Sequence, residues 1–237
     1  MTTKTRWWWI RHAPVVNPDG RLYGQLDLDV DLSDGKKLKA LAKILPNNAV
    51  WVTTSLRRAR ETANRLSAIA MTARSIEEHD NLREQSFGDW EGACWEDIPA
   101  AVSEAFWKDP AKNRIPNGES FVDVVTRVTE TVERLNIQHT GRDIVAVTHT
   151  GSIRAAITHA LGGDADAGLS FQIAPLSLTR IDAIHQDVRQ ARIRVRPDVN
   201  DLVVALVIRD ETHIVVLHHF SNLTGRFFHQ LILLWRN

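Results

Sequence analysis

Three short, mostly apolar runs punctuate the chain, at residues 7–10, 49–53 and 144–147, each stopping abruptly at polar groups, while 178–184, which mixes Thr179, Arg180 and Asp182 with apolar residues, reads as a final core strand. Short apolar runs of this kind predict strands buried on both faces. Between them the pattern changes to helical spacing. Leu38, Leu41, Ala42 and Leu45 mark one amphipathic helix, with Ser33 or Asp34 available as its cap and Pro46-Asn47-Asn48 to break it. An Arg-rich helix is expected over 54–70. Phe121, Val124, Val125, Val128, Val132 and Leu135 mark a third, and 152–161, closed by Gly162-Gly163, a fourth. Residues 16–33, with Pro18, Gly20 and Gly24, read as a long loop, and about 85–118, holding Trp90, Trp95 and Trp107, as a lid-like, partly helical insertion. Strands alternating with helices predict an α/β fold: a three-layer sandwich around a mostly parallel central sheet.

Composition narrows the function classes. With Lys plus Arg at 29 and Asp plus Glu at 29, the chain has no net field to draw it to nucleic acid or a membrane surface, so an anionic ligand would need local clustering of arginines. Cys94 is the single cysteine, which excludes an internal disulfide and a cysteine zinc site. The four apolar residues after Arg6 are too few for a signal peptide, and no run approaches the ~18 residues of a membrane span. The cytoplasm is the expected location. No cofactor is expected, and no metal: the histidines near the C-terminus (His213, His218, His219, His229) come with no carboxylate pattern.

The chemistry lies where the strands stop. Carboxyl ends of strands are the ligand-binding edge of an open α/β sheet. Arg11 and His12 end the first run, Arg57 and Arg58 follow the second, and His149 and Thr150 end the third, just before a helix whose N-terminus suits an anion. Any one of these is weak evidence. Two histidines and at least two arginines on one edge suit a phosphate.

These residues resemble the histidine phosphatase superfamily, also called phosphoglycerate mutase-like. Arg11-His12-Ala13 resembles its Arg-His-Gly element, with Asn17 five residues beyond the histidine. The stretch Thr53-Thr54-Ser55-Leu56-Arg57-Arg58-Ala59-Arg60-Glu61-Thr62-Ala63 resembles the segment after its second strand, which singles out Arg58 as the pocket arginine. Leu82-Arg83-Glu84-Gln85-Ser86-Phe87-Gly88-Asp89-Trp90-Glu91-Gly92 is similar to its acid motif, Pro116-Asn117-Gly118-Glu119-Ser120 to a further element, and His149-Thr150-Gly151-Ser152-Ile153-Arg154 to its second histidine motif. Ala13 and Pro14 depart from the usual Gly and Glu. Tyr23-Gly24-Gln25-Leu26-Asp27 is similar to α-ribazole phosphatases. The resemblance implies a metal-independent phosphatase acting on a small phosphorylated metabolite. His12 would be the nucleophile, Glu84 the general acid and base, and Arg11, Asn17, Arg58, His149 and Thr150 the phosphate ligands. Glu91 ranks second as proton donor. Phosphoglycerate mutase-type transfer and a non-catalytic phosphate-binding module are the alternatives.

The phosphatase domain is expected to span 1–184, with 185–237 as a C-terminal extension. There Arg189, Arg192, Arg194 and Arg196 make a basic stretch, and 202–217 reads as a hairpin turning at Asp210-Glu211-Thr212. The extension is either an appended hairpin serving a homodimer or a frame-altered end of the gene.

Overall fold

The structure, a computed structural model, describes residues 3–71, 75–163 and 165–185, and the backbone of 190–194, 214–218 and 230–234. In chain order the elements are β1 (Thr3–Arg11), α1 (Gly35–Ile44), β2 (Val50–Thr53), α2 (Arg57–Ala70), β3 (Ile76–Glu78), α3 (Ala100–Trp107), α4 (Phe121–Gln138), β4 (Asp143–Thr148), α5 (Thr150–Leu161), α6 (Ala165–Leu169), β5 (Leu178–His185), β6 (Gln190–Arg194), β7 (Ile214–His218) and β8 (Gln230–Leu234). The main sheet has the order β3-β2-β4-β1-β5-β6. Its pairs are parallel from β3 to β1, and antiparallel at β1–β5 and β5–β6.

The apolar run of β1 is explained by its central place. Trp7 and Trp9, stacked with ring centroids 4.7 Å apart, point to one face and join Val124, Val128 and Leu135 of α4 and Ile153 and Ile157 of α5. Trp8 and Ile10 point to the other face and join Leu38 and Leu41 of α1 and Leu66 of α2. The layers are therefore α4 and α5, sheet, α1 and α2. Two indole nitrogens keep polar partners: Trp7 Nε1 donates to Asn136 Oδ1 (2.7 Å) and Trp8 Nε1 to Asp143 Oδ1 (3.0 Å).

Caps follow the expected chemistry. Asp34, not Ser33, accepts the Lys37 N–H at the start of α1, Ser120 and Asp123 form a capping box on α4, and Gly162 ends α5 with φ 96°. The insertion closes a small third cluster of Leu22, Trp90, Ile98 and Ile115. Several elements differ from the sequence reading, α5 among them, which starts at Thr150. α2 starts at Arg57, because Thr54 and Ser55 are engaged elsewhere by their hydroxyls. β3, two of whose three residues are glutamates, and α6, five residues long, carry too little apolar pattern to announce themselves.

Of the expected C-terminal hairpin, 202–213 lie outside the described residues. Ile214–His218 pairs antiparallel with Gln230–Leu234. Among the described residues no helix is long and apolar enough to cross a membrane.

Candidate active site

The strand after which a chain turns to the opposite face of a sheet opens a crevice at its carboxyl end. β1 and β2 are followed by helices on one face, β4 by α5 on the other. The crevice therefore lies between β1 and β4. Their register sets Arg11 opposite Thr148, and the His12 N–H donates to Thr148 O (2.9 Å). His12 and His149 consequently follow side by side, with ring centroids 5.2 Å apart.

His12 is 1% exposed. Its Nδ1 lies 2.6 Å from the Ala13 carbonyl, which can only accept, so the ring proton sits on Nδ1 and Nε2 keeps a bare lone pair. Nε2 is buried without a partner. Burial first, then the Arg58 charge, push the His12 pKa down to about 3, against the opposing Ala13 bond; Arg11 lowers it further. The ring is a neutral nucleophile at any ordinary pH. His149 is fully buried, and the same causes, burial and then Arg58, hold its pKa well below the ordinary value. Thr54 Oγ1, which takes the Leu56 N–H, lies 2.9 Å from His149 Nε2. With the hydroxyl proton directed to Nε2, the imidazole proton rests on Nδ1, a buried donor with no partner.

Both pocket arginines are anchored by backbone carbonyls. Arg58, wholly buried, donates Nη1 to Leu26 O (2.7 Å) and Nη2 to Gly24 O (2.6 Å), and lies 4.9 Å from the Tyr23 ring centroid. Arg11 donates Nη1 to Ile173 O (2.6 Å). What each leaves unpartnered and buried is Nε. Thr150 Oγ1, in the first turn of α5, is likewise buried without a partner. The Asn17 amide exchanges hydrogen bonds with the backbone of Arg21 (2.8 and 3.1 Å) and closes the loop there.

Glu84 reaches the crevice from the loop after β3. Its Oε1 accepts the N–H groups of Gly151 (2.8 Å) and Gln85 (3.0 Å), while Oε2 takes neither bond. Glycine at position 151 leaves room for this carboxyl: a Cβ there would lie 2.3 Å from Oε1 and displace it. Glu91 has a different task. Its Oε1 accepts from Gln25 N (3.0 Å) and Phe87 N (2.9 Å), bracing the two walls of the crevice. Arg11, Glu84 and Thr150, with Arg21, Leu22, Tyr23, Gly24 and Phe87, line a cleft of about 200 Å³. Thr54 and Arg21 are parts of this site that the sequence reading did not single out, and Tyr23 entered it only as the start of a similar stretch. Thr54 lies within a motif, but its link to a ring 95 residues away has no local signature.

The arrangement makes stability depend on pH. An unfolded chain protonates histidine near pH 6.5, whereas folded His12 resists down to about 3. Between these values the unfolded state binds more protons, so stability falls as pH falls. The melting temperature should drop between pH 7 and 4.5, and less steeply in His12→Ala. Equal slopes would show that His12 is not held neutral.

The model of the histidine phosphatase superfamily (branch 1) matches residues 7–196. Glucosyl-3-phosphoglycerate phosphatase of Mycolicibacterium vanbaalenii is 35% identical over 166 residues, 65% of this chain and 72% of that protein. Adenosylcobalamin/α-ribazole phosphatase of Salmonella typhimurium is 27% identical over 165 residues, 66% of this chain and 79% of that protein. A mycobacterial glucosyl-3-phosphoglycerate phosphatase solved with VO3 superposes with a TM-score of 0.68 at 27% identity, over 83% of this chain and 99% of that one.

Proposed function

The chain belongs to the histidine phosphatase superfamily, and on that premise we propose that it hydrolyses a small phosphorylated metabolite of the cytoplasm through a phosphohistidine on His12, with Glu84 as proton donor and acceptor. The observation that carries this reading is a set of buried polar atoms without partners. Among the described residues, Arg11 Nε, His12 Nε2, Arg58 Nε, His149 Nδ1 and Thr150 Oγ1 lack partners, and all five residues end or closely follow β1, β2 and β4 at their carboxyl ends. Buried polar groups are ordinarily paired, so a group of unpaired ones calls for a polar ligand.

In the first step the Nε2 lone pair attacks phosphorus, forming the N–P bond as the ester P–O bond breaks. The departing oxygen takes the proton of Glu84 and leaves as an alcohol. In the second, water attacks phosphorus, its proton goes to Glu84, and the N–P bond breaks to release inorganic phosphate and restore both groups. Phosphoryl transfer of this kind is governed by positioning and by charge around the equatorial oxygens. The two guanidinium groups, the His149 N–H and the Thr150 hydroxyl supply that charge and those donors, each worth about 2–4 kcal/mol when preorganised in a dry site. A phosphate-binding module without chemistry would have no use for a carboxyl fixed by two backbone N–H groups at the cleft wall.

The test uses radiolabelled p-nitrophenyl phosphate in EDTA. Turnover should persist, and the quenched protein should carry label that survives alkali and is lost in acid, as a phosphoramidate requires. Turnover that stops on chelation, or turnover with no such label, would sink the proposal. A panel of phosphoserine, phosphoglycerates and α-ribazole phosphate then ranks the leaving group.

A further inference from the structure

The loop that delivers Glu84 is held by its backbone to a degree that its length does not require. Four successive carbonyls, from Asn81 to Glu84, accept side-chain donors. Arg127 Nη1 reaches Asn81 O (2.8 Å) and Arg83 O (2.9 Å), and Arg127 Nη2 reaches Glu84 O (3.0 Å). Ser152 Oγ lies within bonding distance of Leu82 O (2.8 Å) and Arg83 O (2.7 Å), and Gln25 Nε2 donates to Glu84 O (2.9 Å) from the opposite wall.

The guanidinium of Arg127 is itself fixed. Nε donates to Glu119 Oε1 (2.7 Å) and Nη2 to Glu119 Oε2 (2.9 Å), so with the three carbonyls it makes five hydrogen bonds, one for each N–H that a guanidinium has. Glu119 Oε2 also takes the Ser86 N–H (2.8 Å), and Glu119 O accepts from Gln85 Nε2 (2.8 Å). Both side chains are about four-fifths buried, at 17% and 21% exposure. Docking α4 on the sheet needs none of this, since Phe121, Val124, Val128 and Leu135 already do it. What the five bonds determine is where the Glu84 backbone sits relative to α4 and α5. Oε1 is then set by Gly151, at the start of α5.

We infer that Arg127, held by Glu119, is a positioning residue for the proton donor: it fixes the distance between the Glu84 carboxyl and the leaving oxygen without touching substrate. This rests on Glu84 being the acid. Lysine, with three donors in no fixed plane, cannot reproduce five planar bonds. A displacement of about 1 Å in a reacting group can cost about a hundredfold in rate.

The experiment exploits leaving groups. Rapid-quench rates of phosphoenzyme formation are measured with p-nitrophenyl phosphate, whose phenolate departs without a proton, and with β-glycerophosphate, whose alkoxide needs one. Arg127→Lys should lower the alkyl rate about a hundredfold and the aryl rate no more than about threefold, with affinity for inorganic phosphate kept. Glu119→Gln should move both rates the same way by less, and stands in if the Arg127 variant does not fold. Equal losses on both substrates, or loss of phosphate affinity, would mean a merely structural role and overturn the inference. Glu84→Gln is run beside them. If it discriminates between leaving groups and the Arg127 and Glu119 variants do not, only this inference fails; if it does not discriminate, the assignment of the acid fails first.

Discussion

His12→Ala is expected to lower turnover of any phosphomonoester by at least about a thousandfold and to abolish protein-bound label. The expectation follows from the bare Nε2. It is the buried lone pair in the crevice that needs no deprotonation before it attacks, since burial and Arg58 keep the ring neutral. His149 cannot take over, because its Nε2 faces Thr54 Oγ1 and its ring is fixed there. The anion-binding donors remain in the variant, so inorganic phosphate should still bind within about tenfold of the parent affinity. Substantial activity in His12→Ala, with or without label, would refute the nucleophile. Lost activity together with lost phosphate binding would instead point to a collapsed site.

Glu84→Gln should produce the second largest effect, and a selective one. The amide oxygen of glutamine can still accept from Gly151 and Gln85, so the geometry around Oε1 is conserved while the proton is removed. Alkyl phosphate turnover should fall about 10²–10⁴-fold, the usual worth of a general acid. Phosphorylation of His12 by an aryl phosphate should fall far less. Water attack in the second step also loses its base, so the phosphoenzyme should accumulate as a burst of nitrophenol followed by slow turnover. A uniform loss on both substrates without a burst would move the acid role elsewhere, Glu91 being the carboxylate ranked second.

Much of this was legible in the residues, for physical reasons that differ from place to place. Trp7, Trp9, Val145 and Val147 announce buried strands because a central parallel strand is apolar on both faces. Once those strands are placed, the edge where His12 and His149 meet follows from topology. Gly162 and Asp34 mark helix ends through local chemistry alone. The parts that stayed hidden depend on contacts between backbone and distant side chains. No pattern foretells that the terminal nitrogens of Arg58 are engaged by Gly24 and Leu26 while Nε is left buried without a partner among the described residues. The bonds between the Asn17 amide and the Arg21 backbone are of the same kind. Arg127 stands at a polar position of an amphipathic helix like any other, because three of its five bonds go to carbonyls, and carbonyls are the same in every sequence.

The indole N–H groups of Trp7 and Trp8 have a consequence at the far end of their strand. A ribbon that is equally greasy above and below would lose little by sliding one step along its neighbour. Here such a slide would tear one indole from Asn136 and the other from Asp143. Those two polar keys, four and five positions upstream, thereby guard the alignment that delivers the imidazole to phosphorus.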